Sequence, residues 1–145
     1  MSEQKKNRLI KPGLNTPFHI DFDWWKDNDR NWRVDLRGLL CEMHQEKMHD
    51  FPEDQLIDWV DPESAEVKLM DGLLHTLTSH CANLDEFLTE HTTLVDAVFR
   101  IFLSNGNSPL TANEIGENLG RPSRIILRTL GGPRVYKGIR PIEKN

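Results

Sequence analysis

The amino-acid sequence predicts an α+β fold, with a small N-terminal α/β region packed on a C-terminal helical module. Three observations carry this reading. Residues 17–24 alternate apolar and polar with a period of two. Two short β-type runs near residues 56–69 flank a turn signal. The second half shows apolar spacing of helical period, punctuated by capping residues. With 37% hydrophobic and 28% charged residues in 145 positions, the chain suits a folded domain better than a disordered one.

Taken in order, residues 1–16 are polar, contain Pro12 and Gly13, and read as a flexible arm. In Pro17-Phe-His-Ile-Asp-Phe-Asp-Trp24, the side chains of Phe18, Ile20, Phe22 and Trp24 fall on one face, which indicates a half-buried strand. Asp27-Asn28-Asp29 breaks it. Trp32, Leu36, Leu39, Leu40 and Met43 then recur at helical spacing, so a helix is expected over about 30–44, with a second strand at 32–37 as the alternative. Phe51-Pro52-Glu53-Asp54 marks a turn. Leu56–Val60 and Ala65–Leu69, separated by Asp61-Pro-Glu-Ser64, predict a β-hairpin. Asp71 caps a helix whose apolar positions are Leu73, Leu74, Leu77, Cys81, Leu84 and Leu88. Thr93 and Asp96 form a capping box for a strongly apolar helix carrying Val95, Val98, Phe99, Ile101 and Phe102, expected at the centre of the core. Asn105-Gly106-Asn107 ends it.

The overall charge of −5 hides an asymmetry. From Gly106 onward seven Lys/Arg face three Glu, 7 − 3 = +4, which leaves −9 for the preceding residues. A basic end on an acidic body focuses an anionic partner onto one surface. Scattered solvated arginines are the alternative.

This basic end holds a second capping box, Thr111-Ala-Asn-Glu114, opening a helix through Leu119 that Gly120 closes. Arg121-Pro122 restarts the chain with proline in a first-turn position, and a helix from Ser123 to about Leu130 follows. The segment Thr111–Leu130 resembles the helix-turn-helix of winged-helix regulators. Ile115, Leu119, Ile126 and Leu130 fall where that motif packs its helices, Gly116 where they cross closely, and Gly120 in the turn. Arg121 departs from the aliphatic residue many such motifs place there. After Gly131-Gly132-Pro133, Lys137-Gly138 fits a two-residue turn between Val135-Tyr136 and Ile139-Arg140, a β-wing. The resemblance implies that Arg121, Ser123, Arg124 and Arg128 face double-stranded DNA from the second helix and its approach. It also implies that Arg134, Lys137 and Arg140 meet phosphates. Many winged helices instead bind proteins, and a homodimer is left open.

Cys41-Glu-Met-His44 has the spacing of a zinc half-site, and His80-Cys81 supplies two further ligands. Together they would make a closed tetrahedral Zn²⁺ site. On a regular helix His80 and Cys81 straddle the apolar stripe while His75 points away. Adjacent ligands diverge on such a helix, so it must loosen near Ala82-Asn83. The alternative is a buried thiol at Cys81 beside a half-exposed histidine. Two cysteines make no disulfide framework.

No phosphate-binding glycine loop, G-x-S-x-G elbow or H-E-x-x-H helix occurs, so no enzyme is expected. Asp21, Asp23, Asp27 and Asp29 read as solvated charge, and Trp24, Trp25, Trp32 and Trp59 as core filling. No apolar run approaches the roughly 18 residues of a membrane span. The positive amino terminus has no apolar stretch behind it, so a cytoplasmic address is expected by default. The expected organisation is a flexible arm (1–16), an N-terminal α+β region (17–91) and a winged-helix module (92–145). The expected function is DNA binding in transcription regulation. The alternative is an adaptor that holds a protein partner through the winged helix and the acidic tryptophan-bearing face.

Overall fold

A three-stranded antiparallel sheet ties the start of the chain to its end. In the computed structural model, which describes residues 11–49, 56–60 and 63–142, strand β1 (Pro17–Ile20) lies between β4 (Leu110–Thr111) and β5 (Ile139–Pro141). Phe18 stands opposite both Leu110 and Pro141, and Ile20 opposite Ile139. Seven α-helices and a separate two-stranded sheet complete the α+β architecture among the described residues.

The alternation at 17–24 forms a strand only as far as Ile20. Asp21 stops it, because its carboxylate accepts from Trp24 N at 3.1 Å and caps helix α1 (Phe22–Asn28). An aspartate that can cap a helix outcompetes one more strand residue. Phe18 and Ile20 remain buried as expected, but Trp25 rather than Trp24 enters the core. The Trp25 ring packs edge-on against Trp32 and Phe99, with centroids 5.9 and 5.2 Å away. Its indole N–H donates to Asp29.

The helix expected over about 30–44 is two: α2 (Trp32–Gly38) and α3 (Glu42–Lys47). Gly38 ends the first, where Leu39 and Leu40 donate to carbonyls only three residues back. Cys41, in extended conformation, begins the second. Trp32, Leu36 and Leu40 are buried, whereas Met43 is exposed and α3 buries none of its residues.

The hairpin forms with β2 (Leu56–Val60) and β3 (Val67–Asp71), its second strand displaced toward Asp71. Leu56 pairs with Asp71 and Val60 with Val67. The turn expected at 51–54, the Asp61-Pro62 opening and most of the expected arm lie outside the described residues. Asp71 caps α4 (Gly72–Ser79) as expected, accepting from Leu73 N and Leu74 N. The helix does not run on to Leu88. It breaks at His80 and continues as two 3₁₀ turns, Cys81–Asn83 and Asp85–Phe87. Thr76, Thr78 and Ser79 are weak helix formers. The Thr78 hydroxyl bonds back to Leu74 O, and Asn83 Nδ2 takes Ser79 O. Phe87 thereby fills the core position expected of the leucines.

Helix α5 (Leu94–Ser104) is central, with Phe99 and Phe102 fully buried. Thr93 stands at its N-cap without a side-chain cap bond. The expected box fails because Asp96 is drawn to Lys137, whose ammonium donates to it at 3.0 Å. Past the helix, Asn107 acts as a short strand would. Its side chain accepts from Ile20 N at 2.8 Å and donates to Ile20 O at 2.9 Å.

Helices α6 (Ala112–Leu119) and α7 (Ser123–Leu130) follow with a complete Thr111/Glu114 capping box and Gly120 in the turn. Pro122 is the N-cap of α7, one position before the expected first-turn site. Ile115, Ile126 and Leu130 are buried. A Cβ on Gly116 would come within 2.7 Å of Ser123 Oγ and 2.8 Å of Arg121 O, so only glycine permits this crossing. Lys137 and Gly138, both with positive φ, make the expected two-residue turn, with Tyr136 bridged to Ile139. Gly138 is also required sterically: a Cβ there would meet Asp21 O and Trp25 Cβ at 2.8 Å.

Candidate metal centre and basic face

Cys41 and His44 sit at the start of α3, while His80 and Cys81 sit where α4 breaks. An uninterrupted α4 would splay the last two side chains apart. The break at His80, with φ −131° and ψ −64°, turns both toward α3. It falls two or three residues before the Ala82-Asn83 position expected, and the Thr76–Ser79 run was the signal in the sequence. One donor atom from each of the four residues lies within 4.8 Å of all the others. His75 stands outside this group.

The individual distances suit a single ion. Cys41 Sγ is 3.2 Å from His44 Nδ1 and 3.8 Å from His80 Nδ1, and Cys81 Sγ is 3.6 Å from His44 Nδ1. Bonds of about 2.3 Å to sulfur and about 2.0–2.1 Å to nitrogen place tetrahedral ligand atoms roughly 3.3–3.8 Å apart. The two imidazoles meet edge to face at 4.4 Å between centroids. Two thiols and two imidazoles are the donor set of a closed zinc site.

The electrostatics favour neutral imidazole. His44 is held below its ordinary pKa, first by burial and then by charge repulsion from His80 and Lys47. Burial, and then the neighbouring Cys41 thiol, push the Cys81 thiol above its ordinary value.

The basic residues of the C-terminal part divide into two groups. Three spend their charge inside the fold. Arg121 Nη2 donates to Thr92 O at 2.8 Å, Lys137 pairs with Asp96, and Arg140 Nη1 reaches Asp21 at 3.1 Å. Burial pushes the Asp96 carboxyl up, but the hydrogen bond and charge of Lys137, with Thr93 and Arg100 behind, outweigh it, and its pKa lies below the ordinary value. Ser123 is half-buried, on the side of α7 that meets Gly116. Arg124 and Arg128 are exposed one turn apart on α7, and Arg134 is exposed over the Tyr136 ring. The tryptophans divide likewise: Trp25 and Trp32 are core, while Trp24 is half-buried under the Arg140 guanidinium.

No family model, curated protein or solved structure matches this chain. Among the described residues no helix is long and apolar enough to cross a membrane.

Proposed function

We propose that this chain binds one zinc ion through Cys41, His44, His80 and Cys81, and that the ion is structural. The observation that carries the reading is the convergence of four donor atoms within 4.8 Å. Four protein ligands leave no open coordination position, which separates a structural site from a catalytic one. Helix α3 supplies the need. It has six residues, none of them fully buried, so its own length and packing fasten it only weakly. An ion bonded to both ends of the cluster fastens α3 to the end of α4.

Elemental analysis of the purified chain tests this, with one zinc per chain expected. Cys41→Ser and Cys81→Ser should each abolish retention. Protein that takes up no zinc from a buffered supply refutes the reading.

A second reading concerns the basic face: a winged-helix-type module that binds double-stranded DNA in transcription regulation. It is favoured by Arg124 and Arg128, exposed on α7 and without a partner among the described residues. With Arg121, Lys137 and Arg140 engaged inside the fold, Arg134 alone of the three expected phosphate contacts stays exposed, and Arg124 and Arg128 are left to reach base edges. A slope near −0.9 in log affinity per phosphate contact against log salt is expected. Arg124→Ala with Arg128→Ala should weaken binding, at about 1–3 kcal/mol for each lost bidentate base contact. DNA affinity unchanged by the double substitution favours the adaptor reading. That reading has lost part of its support, since Trp25 and Trp32 are buried.

A further inference from the structure

We infer that Cys41 and Cys81 form an oxidisable pair, in which a hydroperoxide converts the two thiolates to a disulfide and expels the metal. The pairing rests on the geometry alone; the expulsion rests on the zinc reading above. The two sulfurs lie within 4.8 Å of each other. A disulfide needs about 2.05 Å between them, so closure requires side-chain rotation and a small backbone shift. The local structure permits both. Cys41 is the extended residue ahead of α3, which has no fully buried residue, and Cys81 opens a 3₁₀ turn after the break rather than sitting inside α4.

Exposure sets the order of events. Cys41 is half-buried and Cys81 is buried, so the oxidant meets Cys41 first. The Cys41 thiolate attacks one peroxide oxygen; the O–O bond breaks, giving a sulfenic acid on Cys41 and a hydroxide (or alkoxide) leaving group. The Cys81 thiolate then attacks the Cys41 sulfur, forming the S–S bond and expelling a second hydroxide. Two protons from solvent complete the balance. The two thiolates are oxidised by two electrons and the peroxide is reduced by two, to two waters when it is hydrogen peroxide. Zn²⁺, left with His44 and His80 only, dissociates. The covalent bond keeps residues 41 and 81 joined but frees both imidazoles, so oxidation exchanges a four-point fastening for a two-point one.

The test uses the full zinc-loaded chain treated with hydrogen peroxide, zinc being followed with a metallochromic dye and thiols by mass spectrometry. One zinc released for each Cys41–Cys81 bridge is expected, with both changes reversed by dithiothreitol and added zinc. Cys81→Ser should instead accumulate a Cys41 sulfenic acid that dimedone traps. A parallel arm oxidises metal-free wild-type chain, its fold checked by circular dichroism beforehand. Bridging there in a preparation that never binds zinc supports the pair and removes the metal reading. Oxidation to separate sulfinic acids, or bridges only between different molecules, overturns the pair.

Discussion

Asp71 is the buried charge on which the start of α4 depends, and replacing it separates two contributions. Its side chain is 3% exposed and meets the guanidinium of Arg33, itself 22% exposed, while the same carboxylate caps Leu73 N and Leu74 N. Loss of an N-cap costs about 1 kcal/mol. The ion pair lies between the exposed case, about 0.2–1 kcal/mol, and the rupture of a fully buried pair, about 3–5 kcal/mol. Arg33 retains the Trp32 ring 4.4 Å away, which places the loss near the middle, about 2 kcal/mol. Asp71→Ala should therefore cost about 3 kcal/mol, and Asp71→Asn, which keeps the capping oxygen, about 1–2 kcal/mol. In a chain of this size, 3 kcal/mol corresponds to a fall in Tm of roughly 6–12 °C. Urea titrations followed by circular dichroism measure both. If the two variants unfold together, the cap contributes nothing; if both stay within about 0.5 kcal/mol of wild type, the carboxylate is not buried as described.

Phe102 is fully buried on α5, and Phe102→Ala should cost about 3–5 kcal/mol; a melting shift of only a degree or two contradicts a central α5. His44→Ala should lose zinc whereas His75→Ala keeps it, and equal loss from both would remove His44 from the ligand set. Acid should displace the ion, because its thiolate ligands must take up protons; zinc held unchanged into the carboxylate range counts against sulfur ligation. Asp96 has a lower pKa folded than unfolded, so its contribution is full above the ordinary value of 3.8 and is lost as pH falls through the lower folded value. Asp96→Asn should flatten the stability–pH curve in that acid window, and parallel curves would show that Lys137 does not pair with it.

The sequence was most legible where a local rule had no competitor. The Thr111/Glu114 box, Gly120 and the Lys137-Gly138 turn depend on residues within one turn of each other, and Gly116 on the helix that follows directly. It misled where a residue had two uses. Asp21 continues an alternating pattern and also caps a helix, and capping prevailed. Asp96 completes a capping box but is claimed by Lys137, distant in sequence. The four candidate ligands were readable as two pairs, since C-x-x-H and His-Cys are local. Their convergence was expected only with the helix loosening near Ala82-Asn83; the break comes at His80 instead, a place hidden by helical apolar spacing that continues through Leu84 and Leu88. Nor could the sequence separate Arg124 and Arg128 from Lys137 and Arg140, because the neutralising aspartates, Asp96 and Asp21, are distant from them in sequence.

The sheet has a bearing on how the molecule assembles. Strands β4 and β5 are joined only through β1, which is made first and waits for both partners: Leu110 follows Phe18 by 110 − 18 = 92 residues, and Ile139 follows Ile20 by 139 − 20 = 119. Closing so long a loop is entropically costly and slows folding relative to helix pairing alone. The α6–α7 pair is therefore expected to form early, the sheet late. During synthesis the four residues Pro17–Ile20 would be an unsatisfied edge, open to pairing with other chains. A fragment beginning at residue 92 would inherit the same problem from the opposite side: its helices would keep their turn and caps, but β4 and β5 would flank a gap.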